Sequence, residues 1–307
     1  MMKELLNEYE SYLKFLDKSP STISSYMRTV KQFIRDEEVE DVGEFEDFDK
    51  RWWISWMIRK KDELQNSTIR KKVKQMSSFY GFLVHEDYLD DNCLKHITTP
   101  STSGLHDVEE ILNSEQIKTI LKSLKDKYES SILFTEKRMN YRNMLLINLE
   151  FQTGLRINEM ASIKLIDINL ENRSLNVRGK NHKGHVSRKV FFNEYLKNMI
   201  IEYLKYREGQ VIKEEGEEMF FLSEAGEPLG TQTIRKVWNN VVEETNVPKM
   251  KFHGIRKIVG SNLIDKGFSL EKVAKWMGHS ESVAEKYYQR NTDEMKDMSE
   301  TNNEWFI

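Results

Sequence analysis

The sequence predicts a mainly α-helical protein of two domains, with a small antiparallel β-sheet in the second domain. Its 307 residues suit two domains of ordinary size. Apolar residues recur at helical spacing through most of the chain, whereas short strand-like segments with turns between them lie at residues 163–192. Residues 98–110 are rich in Ser, Thr, Pro and Gly and lack periodicity, which predicts a linker between the domains.

The first domain, residues 1–97, is predicted to contain helices alone. Ser19-Pro20-Ser21-Thr22 ends the first helix and caps the second, and Asn66-Ser67 begins the last. The apolar stripes of the four helices cover Leu5–Leu16, Ile23–Ile34, Trp52–Met57 and Ile69–Leu83. The fourth helix also carries a basic face made of Arg70, Lys71, Lys72 and Lys74. Such a face suits either DNA contact or plain solvation, and the sequence does not separate these two readings.

The second domain, residues 111–307, is predicted to begin with a helix at 114–124, capped by Asn113 or Ser114. A charged, irregular insert at 125–140 and a buried helix at 141–151 should follow. Strands are expected within 163–178 and at 186–192, with a turn at 179–184 between them. The remaining helices are predicted at 193–207, 231–244, 254–266, 269–277 and 282–290.

Composition excludes several classes of protein. No apolar run is long enough for a membrane span, and the acidic start does not look like a signal peptide, so we expect a cytoplasmic location. The single cysteine, Cys93, rules out an internal disulfide and a multi-cysteine zinc site. Phosphate-loop, zinc-protease and EF-hand motifs do not occur. The net charge of −3 does not describe a uniformly basic protein, but basic residues cluster at 51–74 and 173–189.

Four short motifs in the second domain contain residues that could carry chemistry. Arg156 follows the glycine turn of Thr153-Gly154-Leu155-Arg156, and Glu159 lies one helical turn further on. Lys180, with Lys183 as a close competitor, lies in the basic hairpin. His253 and Arg256 have the spacing of one helix face, where two cationic groups suit a shared anion. Gly278-His279-Ser280 precedes Tyr287-Tyr288. Taken singly, these motifs also fit a surface ion pair or a helix-turn-helix.

In this order and spacing, the motifs resemble the tyrosine recombinase (phage integrase) family. The resemblance consists of T-G-L-R-I-N-E, V-R-G-K, H-x-x-R, M-G-H-S and a tyrosine nine residues after that histidine. The first domain is similar to the helical, SAM-like core-binding domain of the family, with S-T-I-S-S-Y-M-R-T-V-K-Q-F and S-T-I-R-K-K-V-K-Q-M. The resemblance covers nearly the whole chain. It implies an α+β catalytic domain after the helical one.

The resemblance implies DNA strand cleavage and rejoining through a 3′-phosphotyrosyl intermediate, without metal, ATP or another cofactor. The implied catalytic residues are Arg156, Lys180, His253, Arg256, His279 and Tyr288. Two arginines and His279 would hold the phosphate, and Tyr288 would attack it. Lys180 would protonate the leaving hydroxyl, His253 would assist proton transfer, and Glu159 would orient Arg156. We also expect DNA contacts from Arg70, Lys71, Lys72, Lys74, Lys183 and Arg188.

Three positions depart from the pattern of the family. Lys257 stands where many relatives have a second histidine, which concerns fine positioning only. Asn181 replaces the usual glycine after the hairpin lysine, so the choice between Lys180 and Lys183 stays open. Tyr287 adjoins Tyr288, and because a helix turns about 100° per residue, only one of the two can face the phosphate.

The resemblance also implies partners. Four protomers would act on two double-stranded DNA sites, and the terminal Trp305, Phe306 and Ile307 would dock on a neighbour or back on their own domain. We expect a two-domain, Xer-like or mobile-element recombinase without an additional arm-binding domain. The choice between integration, excision and resolution stays open. The alternatives are a non-catalytic DNA-binding regulator and a type IB topoisomerase-like enzyme.

Overall fold

The computed structural model describes residues 2–101, 111–179 and 187–278. The chain divides into two compact units, Met1–Asp107 and Val108–Ile307. The structure is mainly helical with a small antiparallel sheet in the second unit, so the fold class predicted from the sequence is confirmed. No helix in the described ranges combines the length and the apolar composition that a membrane crossing requires.

The first unit contains helices α1 (Met2–Phe15), α2 (Pro20–Asp36), α3 (Lys50–Lys60) and α4 (Asn66–His85). Ser19 caps α2 by accepting a hydrogen bond from the Thr22 backbone N–H, as its sequence predicted. Aromatic rings fill the core, where Phe33 stacks on Trp53 at 5.0 Å between centroids. The prediction for Leu16 was wrong: α1 ends at Phe15, and Leu16 is exposed.

The helices of the second unit pack around one buried helix. They are α5 (Ser114–Glu129), α6 (Phe134–Thr153), α7 (Ile157–Ala161), α8 (Glu194–Glu208), α9 (Thr231–Thr245), α10 (Phe252–Asp265) and α11 (Leu270–Met277). α6 lies against α5, α8 and α10, and it is buried along most of its length. Asn113 caps α5 by accepting a hydrogen bond from the Gln116 backbone N–H, and its own backbone N–H donates to the Gln116 side chain in return. This decides between the two predicted caps.

The insert predicted at 125–140 was wrong, because most of that segment is helical. α5 continues to Glu129 and α6 begins at Phe134. The reason is that apolar contacts persist at helical spacing: Leu124 is buried, and the Tyr128 ring packs edge-on against Tyr141 at 4.9 Å. The many charged residues in this segment obscured the helical spacing of its apolar residues in the sequence.

The sheet has the order β1-β2-β3, with all pairs antiparallel. Its strands are β1 (Ile168–Asn169), β2 (Ser174–Val177) and β3 (Arg188–Phe191). Leu175 pairs with Val190 in the centre, and both side chains are buried in the core. β3 also contacts α11, where the Phe191 and Trp276 rings lie 6.4 Å apart. The sheet therefore places β3 against α11.

Candidate active site

Arg156 is placed by the turn that joins α6 to α7. Gly154 ends α6 in the left-handed conformation, with φ of 61°, a region that glycine enters without strain. Arg156 then occupies the N-cap position of α7, where its backbone N–H donates to Glu159 Oε2 at 2.8 Å. Its Nη1 donates to Glu159 Oε1 at 2.9 Å. The helical spacing of these two residues thus produces the ion pair that the sequence suggested.

Glu159 is shared between two arginines. Arg188, the first residue of β3, donates Nη1 to Oε1 and Nη2 to Oε2, each at 2.8 Å. Burial alone would raise the pKa of the Glu159 carboxyl. The hydrogen bonds and charge of Arg188, together with the backbone N–H and charge of Arg156, outweigh burial and lower this pKa to about 2. Glu159 is therefore ionised at neutral pH and joins the two guanidinium groups.

The sequence led us to expect that Arg188 is an exposed DNA contact. The structure places it differently. Its side chain is 7% exposed. Both terminal nitrogens bind Glu159, and Nε donates to the Trp276 backbone oxygen at 2.6 Å. The number of basic residues in the hairpin did not reveal this inward direction. Arg188 is instead part of the buried polar cluster that surrounds Arg156.

Arg256 approaches the same place from α10. It is 1% exposed. Its Nη1 donates to the backbone oxygen of Gly154, and its Nη2 donates to the backbone oxygen of Met277. Arg256 therefore ties the turn before Arg156 to the end of α11.

The end of α11 is where the three arginines meet. Arg156 donates Nη2 to the Gly278 oxygen at 2.7 Å and Nη1 to the Met277 oxygen at 3.4 Å. Met277 accepts a second bond from Arg256, and Trp276 accepts one from Arg188. The carbonyl end of a helix carries partial negative charge, which guanidinium groups stabilise. We call Arg156, Glu159, Arg188 and Arg256 the arginine cluster.

The arginine cluster has an excess of positive charge, because its three guanidinium groups surround one ionised carboxylate, that of Glu159. Guanidinium groups bind phosphate oxygens through two parallel hydrogen bonds and keep their charge at every working pH. The Arg156 side chain retains 26% exposure, so it is the member that an incoming anion reaches first. The arrangement suits the binding and polarisation of a phosphodiester.

Comparison with known proteins identifies the family. The model of the "Phage integrase family" matches residues 110–295, and that of the "Phage integrase, N-terminal SAM-like domain" matches residues 5–90. This chain belongs to the phage integrase family. The tyrosine recombinase XerC of Bacillus pumilus is 25% identical over 93% of this chain and 91% of its own. XerC of Bacillus subtilis is also 25% identical, over 96% and 94%.

Solved structures of a site-specific recombinase and of an integrase share the fold. XerH site-specific recombinase, bound to a palindromic difH substrate, superposes with a TM-score of 0.72 and 19% identity, over 94% of this chain and 84% of that one. A lambda integrase tetramer bound to a Holliday junction superposes with a TM-score of 0.67 and 18% identity, over 93% of this chain and 76% of that one. The relatives are named as recombinases, which does not favour the regulator or the topoisomerase-like alternative.

The structure brings together only part of the residues that the resemblance to the phage integrase family implies. Arg156, Glu159 and Arg256 meet at the end of α11, and His253 is exposed on α10, three residues before Arg256. Several predicted residues lie outside the described ranges: Lys180, Lys183, His279, Tyr288, Trp305, Phe306 and Ile307. The described chain ends at Gly278, so the three arginines hold the segment that leads directly into His279.

Sequence reasoning missed Glu150. This residue lies on α6 within the run that we predicted as a buried apolar helix, and its side chain is fully buried. The available signal was a single acidic residue inside an apolar segment, since charged residues are seldom fully buried without a partner. Burial raises the pKa of the Glu150 carboxyl well above its usual value.

The basic face of the first unit lies on α4. Arg70, Lys71 and Lys74 are exposed. Lys72 is half-buried and donates to Gln32 Oε1 on α2 at 2.8 Å, so it ties α4 to α2 rather than projecting freely. Burial lowers the pKa of Lys72. Three of the four predicted side chains therefore have the exposure that a DNA contact requires.

Proposed function

We propose that this chain is a site-specific recombinase that cleaves and rejoins double-stranded DNA through a covalent 3′-phosphotyrosyl intermediate. One observation supports this most strongly. Arg156 and Arg256 come from segments a hundred residues apart, yet both donate to the Met277 oxygen, two residues before His279. Two guanidinium groups that converge at a backbone segment just before a histidine in the sequence suit the two non-bridging oxygens of a phosphodiester.

In the proposed reaction, the Tyr288 hydroxyl oxygen attacks the phosphorus and the bond from phosphorus to the 5′ oxygen breaks. The tyrosine proton passes towards His253, and Lys180, or Lys183 in its place, protonates the departing 5′ oxygen. The products are a 3′-phosphotyrosyl link and a 5′ hydroxyl. Because the link keeps the energy of the ester bond, a 5′ hydroxyl rejoins the strand by the reverse steps without ATP.

The two arginines differ in how they would reach the phosphate. Arg156 is partly exposed and holds the site's outer edge, whereas Arg256 is covered and its Nη2 is engaged by Met277. A direct bond from Arg256 to the phosphate requires its cover to open, because the side chain is only 1% exposed. Charge-assisted hydrogen bonds to phosphate oxygens are stronger than bonds to neutral acceptors, which favours such a contact.

The partners belong to the same proposal. The exposed basic residues of α4 would neutralise phosphates of the duplex and hold the first unit on DNA. We propose four protomers on two sites, with Trp305, Phe306 and Ile307 docked either on a neighbouring protomer or back on their own domain. Action on chromosomal or mobile DNA implies a cytoplasmic location.

A covalent trap tests the proposed chemistry. Duplexes from the DNA that flanks the gene are nicked near candidate repeats, incubated with the protein and run on a denaturing gel. We expect a protein–DNA adduct in the unmodified protein and in Tyr287→Phe, and none in Tyr288→Phe. An adduct that survives Tyr288→Phe but not Tyr287→Phe would move the nucleophile to Tyr287. Binding without an adduct in all three proteins would contradict the recombinase proposal.

A further inference from the structure

Glu150 is a buried carboxyl group that the proposed cleavage reaction does not use. It lies on α6, four residues before Gly154, and none of its surface is exposed. Within the part of the chain that the structure describes, neither of its carboxyl oxygens has a hydrogen-bond partner. A carboxylate in such a place is costly, so the position requires either nearby positive charge or a bound proton.

The charges that act on Glu150 are those of the arginine cluster. Burial is the largest influence and raises its pKa. Arg256 on α10 and Arg188 on β3 oppose burial, whereas the ionised Glu159 on α7 adds to it. The Leu155 backbone N–H lowers the pKa without reaching hydrogen-bonding geometry. Burial prevails because Glu159 already neutralises part of the positive charge nearby.

The proton on Glu150 sets the net charge of the site. Arg156, Arg188 and Arg256 carry three positive charges and Glu159 one negative charge, which leaves two positive charges beside a neutral Glu150. An ionised Glu150 would leave one. Attraction for a phosphate falls with that charge, and it falls most where water is excluded.

We propose that Glu150 is a positioning residue that acts as a neutral carboxylic acid beside Arg256, and that its proton preserves the positive charge with which the arginine cluster holds a DNA phosphate. The first part of the proposal, that Glu150 is protonated, does not depend on what the protein does. The second part, that this proton supports phosphate binding, rests on the proposed function. Two measurements therefore test the two parts separately.

The first measurement is the melting temperature of the full chain without DNA, between pH 5 and pH 8. A folded-state pKa above the unfolded value gives stability at low pH that is lost as the pH rises. Glu150→Gln and Glu150→Met keep the approximate volume and have no proton to lose. We expect the melting temperature of both variants, relative to the unmodified protein, to rise with pH. A difference that stays constant from pH 5 to pH 8 would overturn the proposal.

Glu159→Gln is the matched control for this measurement. Its carboxylate shares Arg188 with Glu150 and belongs to the same cluster, but its pKa is lowered rather than raised. The melting temperature of Glu159→Gln should therefore lie below that of the unmodified protein throughout this range and should not gain on it as the pH rises. If the melting temperatures of Glu159→Gln and Glu150→Gln, each relative to the unmodified protein, rose equally with pH, the assignment to Glu150 would be overturned.

The second measurement is adduct formation on a nicked duplex from pH 6 to pH 9. The ratio of the Glu150→Gln rate to the unmodified rate should rise with pH, by up to about tenfold per unit, the limit for loss of one proton. A flat ratio, or loss of the adduct in Glu150→Gln at pH 6, would overturn the role in phosphate binding. Absence of any adduct in the unmodified protein would overturn the proposed function and this role together, while melting still decides the protonated state.

Discussion

Arg188 donates both terminal nitrogens to the two carboxylate oxygens of Glu159, each at 2.8 Å. This parallel pair lies in the interior of the second unit, and it joins the start of β3 to α7. Because Glu159 also binds Arg156, the position of a residue proposed to hold phosphate depends on a strand residue whose side chain is almost buried.

Loss of Arg188 should destabilise the fold. Arg188→Ala leaves Glu159 with a single arginine in a buried place, which should lower the free energy of unfolding by about 3 kcal/mol. Arg188→Lys keeps the charge but cannot make two parallel hydrogen bonds to the carboxylate, so its loss of unfolding free energy should be intermediate. Urea unfolding measures both. Arg173→Ala is the control, since it breaks an exposed pair with Glu194 and should cost less than about 1 kcal/mol. Equal losses at Arg188 and Arg173 would contradict the buried pair.

The pKa of Glu159 predicts an acid-sensitive contribution to stability. The folded-state value of about 2 lies below the ordinary 4.5, so the contribution is present above pH 4.5 and is lost as the pH falls towards 2. The shift corresponds to about 3 kcal/mol at neutral pH. The stability difference between the unmodified protein and Glu159→Gln should therefore shrink on acidification. Glu218→Gln, an exposed carboxyl paired with Lys164, should show little change.

Gly278 should tolerate substitution less well than another left-handed glycine. Its φ is 62°, and an added Cβ would lie 3.0 Å from Arg188 Nη1, which Glu159 holds in place. Gly267 has a φ of 83°, and no atom of the described residues lies within 4 Å of a Cβ added there. Gly267→Ala measures the backbone strain alone, about 1 kcal/mol. Gly278→Ala should lose about 1 kcal/mol more in urea unfolding. Equal losses of unfolding free energy in the two variants would show that the Arg188 side chain moves away from the added Cβ without cost.

The sequence predicted the polypeptide segments of this site better than its contacts. The positions of Arg156 and Glu159 followed from a glycine turn and helical spacing, both of which are local. The inward direction of Arg188 did not, because it depends on which face of a strand meets α11, a contact between residues 88 positions apart. The same holds for Glu150, whose environment comes from three other elements. Local patterns placed the helices, whereas long-range packing decided which charges are buried.

A polar ladder between α2 and α4 should be sensitive to removal of its central residue. Gln75 is buried, accepts a hydrogen bond from Thr29 Oγ1 at 2.7 Å and donates to Ser25 Oγ at 2.8 Å. Gln75→Leu leaves the Thr29 hydroxyl without its hydrogen-bond acceptor and should lower the free energy of unfolding by about 1–3 kcal/mol. The double variant Thr29→Val/Gln75→Leu removes both groups, so it should recover part of this loss. A strictly additive double variant would rule out coupling between the two side chains.

The exposed basic residues of α4 should contribute to DNA affinity through charge. Arg70, Lys71 and Lys74 face solvent, so alanine at all three positions should weaken binding to duplex DNA. Each side chain that no longer neutralises a phosphate should reduce the slope of log affinity against log salt by about 0.9. The measurement is a fluorescence-anisotropy titration at several salt concentrations, since the slope reports how many phosphates the protein neutralises, whatever the DNA sequence.

A control variant separates direct phosphate binding from overall charge. Alanine at Lys14, Lys118 and Lys125 removes the same three charges from other exposed helix positions. If α4 touches the phosphates, the α4 variant should show the smaller salt slope, and the control should keep the slope of the unmodified protein. Equal weakening in both variants, with the slope unchanged, would mean that these residues act through the long-range field and that the DNA lies against another surface of the first unit.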